Sequence, residues 1–185
     1  MCIRDSIKSV NKMLPQLSLV LGGAASGKSA YAESIILDTG LTPIYIATAQ
    51  VFDDEMAQKV SRHKVMRGPA WHTIEEPVAV PKALKSISPD QAVLIDCATL
   101  WLTNIVLGDH DVAAKSAELI DAIKACEGPV VVVSNEVGMG IVPDNALSRQ
   151  FRNAQGALNQ AIAAQADHVV TVMAGLPLVL KGPTV

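Results

Sequence analysis

The chain has 185 residues, with 15 Lys and Arg against 18 Asp and Glu, a formal net charge of −3. That length suits one domain with a sizeable core, and the mild negative charge without a long basic run argues against nucleic acid as the main partner. Half of the residues are apolar but only 3% are aromatic; this Ala-, Val-, Ile- and Leu-rich mass suits helices on buried parallel strands, and no run of about 18 apolar residues exists to span a membrane.

Residues 1–12 (Met1-Cys2-Ile3-Arg4-Asp5-Ser6 onward) show no periodicity. They read as an extension, disordered or arising from a mis-assigned start, with Met13 as the natural beginning and 13–185 as a single domain. Lys8 and Lys12 ahead of an apolar stretch mimic a signal peptide, but Pro15, Gln16 and Ser18 interrupt the stretch. The expected location is therefore the cytoplasm. Leu17 to Leu21 reads as a buried strand and Ala30 to Leu37 as a helix. Ile44 to Ala47 is a short strand, Asp53 caps a helix running to about Val65, and Trp71 to Ile74 is a further short strand. Pro81 to Ile87 gives one or two helical turns ended by Pro89-Asp90, and Ala92 to Asp96 is a buried strand. Val112 to Cys126 is a helix stopped by Gly128-Pro129, and Val130 to Val133 is the strongest strand. Asn145 to Ala166 is a long helix, followed by strands at Val169 to Met173 and Leu178 to Leu180. The alternation predicts an α/β fold, a mostly parallel sheet with helices on both faces. Cys2, Cys97 and Cys126 form no C-x-x-C pair, so neither a zinc site nor a disulfide framework is indicated, and reduced thiols are expected.

Between the first strand and the first helix lies Gly22-Gly23-Ala24-Ala25-Ser26-Gly27-Lys28-Ser29, which fits G-x-x-x-x-G-K-[ST]. Its glycines let backbone N–H groups curl around phosphate oxygens, and the helix N-terminus adds a favourable dipole. Lys28 reaches the β and γ phosphates, and the Ser29 hydroxyl ligates Mg²⁺. Asp96 ends a neighbouring strand, the place from which an acid holds that metal ion; a helix cap is the alternative.

Three further segments leave a choice open. On a helix, Lys59, His63 and Arg67 share one face, flanked by Arg62 and Lys64. That pattern is either a solvated basic face or a phosphate contact centred on a histidine held neutral by its cationic neighbours, and so nucleophilic. Asn135-Glu136-Val137-Gly138-Met139-Gly140-Ile141-Val142-Pro143 follows the strongest strand. It is either a loop closely approached by substrate or an ordinary turn. His72, His110 and His168 are isolated and read as structural or surface residues.

Taken in order, the P-loop, Tyr45-Ile46-Ala47-Thr48-Ala49, Asp53-Asp54-Glu55-Met56, His63-Lys64 with Arg67, Pro69 and Trp71, and Asn135 to Pro143 resemble one family. Phe151-Arg152, Gly156, Asn159-Gln160 and Ala166-Asp167 continue the match. It is the bifunctional adenosylcobinamide kinase / adenosylcobinamide-phosphate guanylyltransferase family of cobalamin synthesis, matched from about residue 17 to the C-terminus. The resemblance implies a RecA-like three-layer P-loop NTPase fold, with ATP and GTP as substrates beside adenosylcobinamide and its phosphate. It implies a guanylyl-histidine on His63, and nucleotide contacts from Gly22, Gly23, Ala24, Ala25, Ser26, Gly27, Lys28 and Ser29. Ala47, Thr48, Ala49, Lys64, Val65, Met66, Arg67, Glu75 and Asp96 complete the implied set, with Mg²⁺ on Ser29 and Asp96 and a homotrimer as the assembly. The sequence departs from the pattern at Arg62, where some members have a second histidine, at Asp96, where some have Glu, and at Asn153, where Asp is common. A P-loop kinase of another small alcohol without guanylyl transfer, and a nucleotide-binding regulatory module, are the competing readings.

Overall fold

The computed structural model describes residues 14–50 and 68–183. The expected helix from Asp53 to Val65 lies outside them. In chain order the elements are β1 (Leu17–Gly22), α1 (Lys28–Leu37), β2 (Thr42–Ala47), β3 (His72–Glu75), α2 (Val80–Leu84), β4 (Gln91–Asp96), α3 (Ala98–Leu107), α4 (Val112–Ala125), β5 (Val130–Asn135), α5 (Ala146–Gln165), β6 (His168–Met173) and β7 (Leu176–Lys181). The seven strands form one sheet in the order β3-β2-β4-β5-β1-β6-β7. All pairings are parallel except the antiparallel hairpin β6–β7, so the expected sheet type is observed.

Alternation along each strand builds two cores. On one face Leu17, Leu19, Ile46, Val93, Ile95, Val130 and Val132 pack under α2 to α5. On the other, Val20, Tyr45, Leu94, Val131, Val133 and Val170 pack under α1 through Ala32, Ile35 and Ile36. The central strands β1, β4 and β5 are apolar on both faces, as expected of strands covered by helices on both sides.

One helix escaped the sequence reading. α3, Ala98–Leu107, is rich in Thr, Ile, Val and Leu, and Trp101, Leu102 and Ile105 in it are fully buried. A helix apolar on nearly all sides has little periodic signature, and its β-branched residues imitate a strand. Trp101 anchors it by donating Nε1–H to the Val78 carbonyl at 3.0 Å. The P-loop helix begins at Lys28 rather than at Ala30, because its first turn is built from the motif itself.

His168 is fully buried on β6. Burial pulls its pKa below the ordinary 6.5, against a smaller opposite pull from the Pro183 backbone. The folded chain therefore resists taking up a proton that the unfolded chain accepts. Stability is unaffected above about pH 6.5 and is lost as the pH falls below it. Urea midpoints should drop more between about pH 7 and pH 5 for the native chain than for His168→Leu, which removes the titrating group.

Candidate nucleotide-binding site

The chain between β1 and α1 is shaped for close backbone approach. A Cβ on Gly22 would meet Ser26 Oγ and stand 2.7 Å from the Val172 carbonyl oxygen, so only glycine fits. Gly27 precedes α1 with φ 95°, a left-handed conformation, and supplies no side-chain cap. The first turn of α1 also lacks an acidic residue, so its unsatisfied N–H groups and its dipole are left for an anion. Gly23, Ala24, Ala25 and Gly27 are exposed, and Ser29 is half-buried. Lys28 is buried to 9% exposure, and its Nζ donates to the Gly23 carbonyl at 2.9 Å. The Ser26 hydroxyl is buried with no hydrogen-bond partner among the described residues. The turn after β6 braces the loop, Gly175 N donating to the Ser26 carbonyl at 2.8 Å. A buried hydroxyl lacking a partner, an ammonium and an uncapped helix end converge within one loop. That combination suits phosphate oxygens, which accept from all three.

The carboxyl ends of the parallel strands carry Ala47, Glu75 and Asp96. In register, Ala47 pairs with Glu75 on one side and with Asp96 on the other. Asp96 is level with Val133, and Val133 with Val20 on β1. Asp96 is thus not on the strand beside the P-loop strand, as expected from sequence, because β5 lies between them. At the usual strand spacing this sets Asp96 about 10 Å across the sheet from β1, and the exposed Glu75 about 19 Å away. Ala47, Glu75, Asp96 and the P-loop therefore line one long edge, the edge where open α/β sheets take ligands.

Asp96 is held from β2. Tyr45, buried at 5% exposure, donates its hydroxyl to Asp96 Oδ2 at 2.9 Å. Next to it, Cys97 N donates to Thr48 Oγ1 at 2.8 Å, and that hydroxyl donates to the Cys97 carbonyl at 2.8 Å. Thr48 N donates to the Asp96 carbonyl at 3.2 Å. Asn104 on α3 donates to the carbonyls of Thr48 at 2.8 Å and Pro77 at 2.9 Å. Each polar group of Thr48 therefore already has a protein partner, and the residue joins the exits of β2, β3 and β4. Burial and the neighbouring Asp96 charge push the Cys97 thiol up to about 11. It stays protonated, and its sulfur accepts from Leu100 N at 3.5 Å to cap α3.

Beyond β5, Glu136 N donates to the Gly22 carbonyl at 3.1 Å, so the Asn135–Pro143 loop starts against the P-loop. A buried network fixes that start. Ser134 Oγ donates to Asn159 Oδ1 at 2.6 Å, Gln155 Nε2 donates to both at 2.9 Å, and Asn159 Nδ2 donates to the Asn135 carbonyl at 3.2 Å. Asn135 N donates to Thr99 Oγ1 at 2.8 Å. Farther along, Met139, Ile141 and Val142 are strongly exposed. An apolar cleft of about 420 Å³ opens between α3, this loop and α5, lined among others by Val106, Leu107, Val137, Leu147 and Phe151.

His63, Lys64, Val65, Met66 and Arg67 lie outside the described residues, and so do Lys59 and Arg62. Sequence reasoning missed the supporting residues Tyr45, Thr99, Asn104 and Gln155. Asn104 had a readable signal, a lone amide in an otherwise apolar helix. Tyr45 had another, a polar-tipped ring in a buried strand.

The donor set bears on a metal. Among the described residues no group of three or more His, Cys, Asp or Glu could hold an ion. Ser29 and Asp96 are hard oxygen donors, and Mg²⁺ is commonly held by one or two such groups together with substrate phosphates. The residues present fit that mode.

Comparison with known proteins gives the fold and the family. Among solved structures, the RadB recombinase superposes with a TM-score of 0.52 at 16% identity, covering 85% of this chain and 74% of that one. The flagellar accessory protein FlaH from Methanocaldococcus jannaschii gives 0.51 at 13%, covering 98% and 86%. These likenesses show the fold, that of RecA-like P-loop proteins. The bifunctional adenosylcobalamin biosynthesis protein CobP of Pseudomonas aeruginosa is 42% identical over 167 residues, 89% of this chain and 96% of that protein. The corresponding protein CobU of Escherichia coli is 39% identical over 179 residues, 88% and 98%. The family model for cobinamide kinase / cobinamide phosphate guanyltransferase matches residues 18–180, and the chain belongs to that family.

Proposed function

We propose that this chain phosphorylates adenosylcobinamide with ATP or GTP and then transfers GMP from GTP to the product, giving adenosylcobinamide-GDP and pyrophosphate. Family membership supplies the two reactions. The observation on this chain that carries the reading is the P-loop, with its partnerless Ser26 hydroxyl, buried Lys28 and uncapped α1.

In the kinase step the substrate hydroxyl attacks the γ-phosphorus. The β,γ-bridging P–O bond breaks, the hydroxyl proton passes to solvent or a base, and the nucleoside diphosphate leaves. In the second reaction neutral His63 attacks the α-phosphorus of GTP and pyrophosphate leaves. A phosphate oxygen of adenosylcobinamide phosphate then attacks the guanylyl-histidine, and the N–P bond breaks. Backbone N–H groups of Gly22 to Ser29 and the Lys28 ammonium stabilise the charge spread over the phosphate oxygens in both reactions. Arg67 assists from the His63 segment. Ala47, Ala49 and Glu75 bound the nucleotide along the strand ends, with Thr48 fixing their geometry, and the family resemblance adds Lys64, Val65 and Met66 to its contacts. Ser29 and Asp96 would hold Mg²⁺, which would supply neutralisation of phosphate charge. The apolar cleft beside the Asn135–Pro143 loop suits the bulk of a large substrate. A single functional unit over 13–185, a homotrimer and a cytoplasmic location accompany this reading.

Incubation with Mg²⁺ and GTP labelled at the α-phosphorus, followed by denaturation, tests it. An acid-labile, alkali-stable GMP adduct on His63 is the expected result. Bound GTP without an adduct would favour the simple kinase instead.

A further inference from the structure

The geometry points to Tyr45 as a positioning residue for the nucleotide-bound metal: its hydroxyl locks the Asp96 carboxylate through one oxygen and leaves the other for the ion. The inference rests on the proposed role of Asp96 as a metal acid.

Strand register is the first support. Tyr45 pairs with Leu94 across β2 and β4, and Asp96 is two residues beyond Leu94, so all three side chains share a face. That face is the one α1 covers, because Tyr45 and Leu94 both belong to its core. The P-loop helix and Asp96 therefore stand on the same side of the sheet. A tyrosine is long enough to reach two residues along the neighbouring strand, and its hydroxyl lies 2.9 Å from Asp96 Oδ2.

Ring packing is the second support. Tyr45 and Trp71 are both buried and meet edge to face, centroids 6.0 Å apart at 88°. The ring is thus placed by packing, and the hydroxyl arrives at a fixed point. No other side chain among the described residues has a hydrogen bond to the Asp96 carboxylate, which is half-buried. Without that bond its terminal torsion is broad and soft. Fixing a ligand carboxylate by an outer hydrogen bond is a general means of sharpening a metal site.

Tyr45→Phe keeps the ring and deletes the hydroxyl. The probe is Mn²⁺, titrated by electron paramagnetic resonance into the intact protein saturated with a non-hydrolysable GTP analogue. Tyr45→Phe should weaken Mn²⁺ binding about tenfold, within the span usual for outer hydrogen-bond partners of metal ligands. Its affinity for the analogue in excess chelator should stay unchanged. Asp96→Asn should weaken Mn²⁺ at least as much. If Asp96→Asn loses Mn²⁺ while Tyr45→Phe binds it normally, the positioning role is wrong and the Asp96 assignment stands. If neither variant changes Mn²⁺ affinity, both fall. Loss of analogue affinity by Tyr45→Phe in chelator would mark the residue as structural and overturn the proposal.

Discussion

Replacing His63 with alanine should abolish formation of adenosylcobinamide-GDP, by about 10⁴-fold or more, since removing a covalent nucleophile leaves only binding and charge stabilisation to act. Phosphorylation of adenosylcobinamide should survive, because a hydroxyl attacking the γ-phosphorus needs no histidine nucleophile. The split is the informative part. Two reactions share one triphosphate, and which phosphorus reacts depends on the group in line with it. Arg62 and Lys64 flank His63 in the sequence, so neither adjacent residue offers a second imidazole. The check is product analysis with each substrate separately, adenosylcobinamide for the kinase and its phosphate for the transfer. Normal GMP transfer by His63→Ala would rule out the covalent route.

Lys28→Ala should cut both reactions, each by about 10²- to 10³-fold, the usual scale for losing one preorganised charge-stabilising donor. Lys28 opens α1, where alanine is a good helix former, so the helix should persist. The fold loses one hydrogen bond, from Nζ to the Gly23 carbonyl, worth about 1 kcal/mol. Activity should therefore collapse with a small change in thermal midpoint. Measuring kcat for both reactions beside a melting curve separates the two effects. Loss of the kinase step alone would mean that the GTP of the transfer step lies away from the P-loop.

The two variants probe parts of the site that were legible to different degrees. The P-loop is contiguous, and its glycine positions follow from a local demand: Gly22 faces Val172 and Ser26 too closely for any Cβ. Strand positions were legible because both-face burial leaves unbroken apolar runs, as in Val130 to Val133. α3 was not, because burial on nearly all sides erases the helical period on which recognition depends. Thr48 was expected at the nucleotide, yet its hydroxyl joins the strand exits through both backbone groups of Cys97. A single threonine in a motif carries no mark of which neighbour its hydroxyl will meet.

By itself, then, the sequence determined the α/β alternation, the phosphate loop and the family, all written in neighbouring residues or in short periods. The tertiary structure decided the strand order, and with it the insertion of β5 between β1 and β4 that carries Asp96 two strands from the P-loop. It alone brought Tyr45 to Asp96 and Asn104 beneath Thr48. Those contacts join residues 51 and 56 positions apart. Their pairing is set by how whole strands and helices share the core, not by any local preference of the chain.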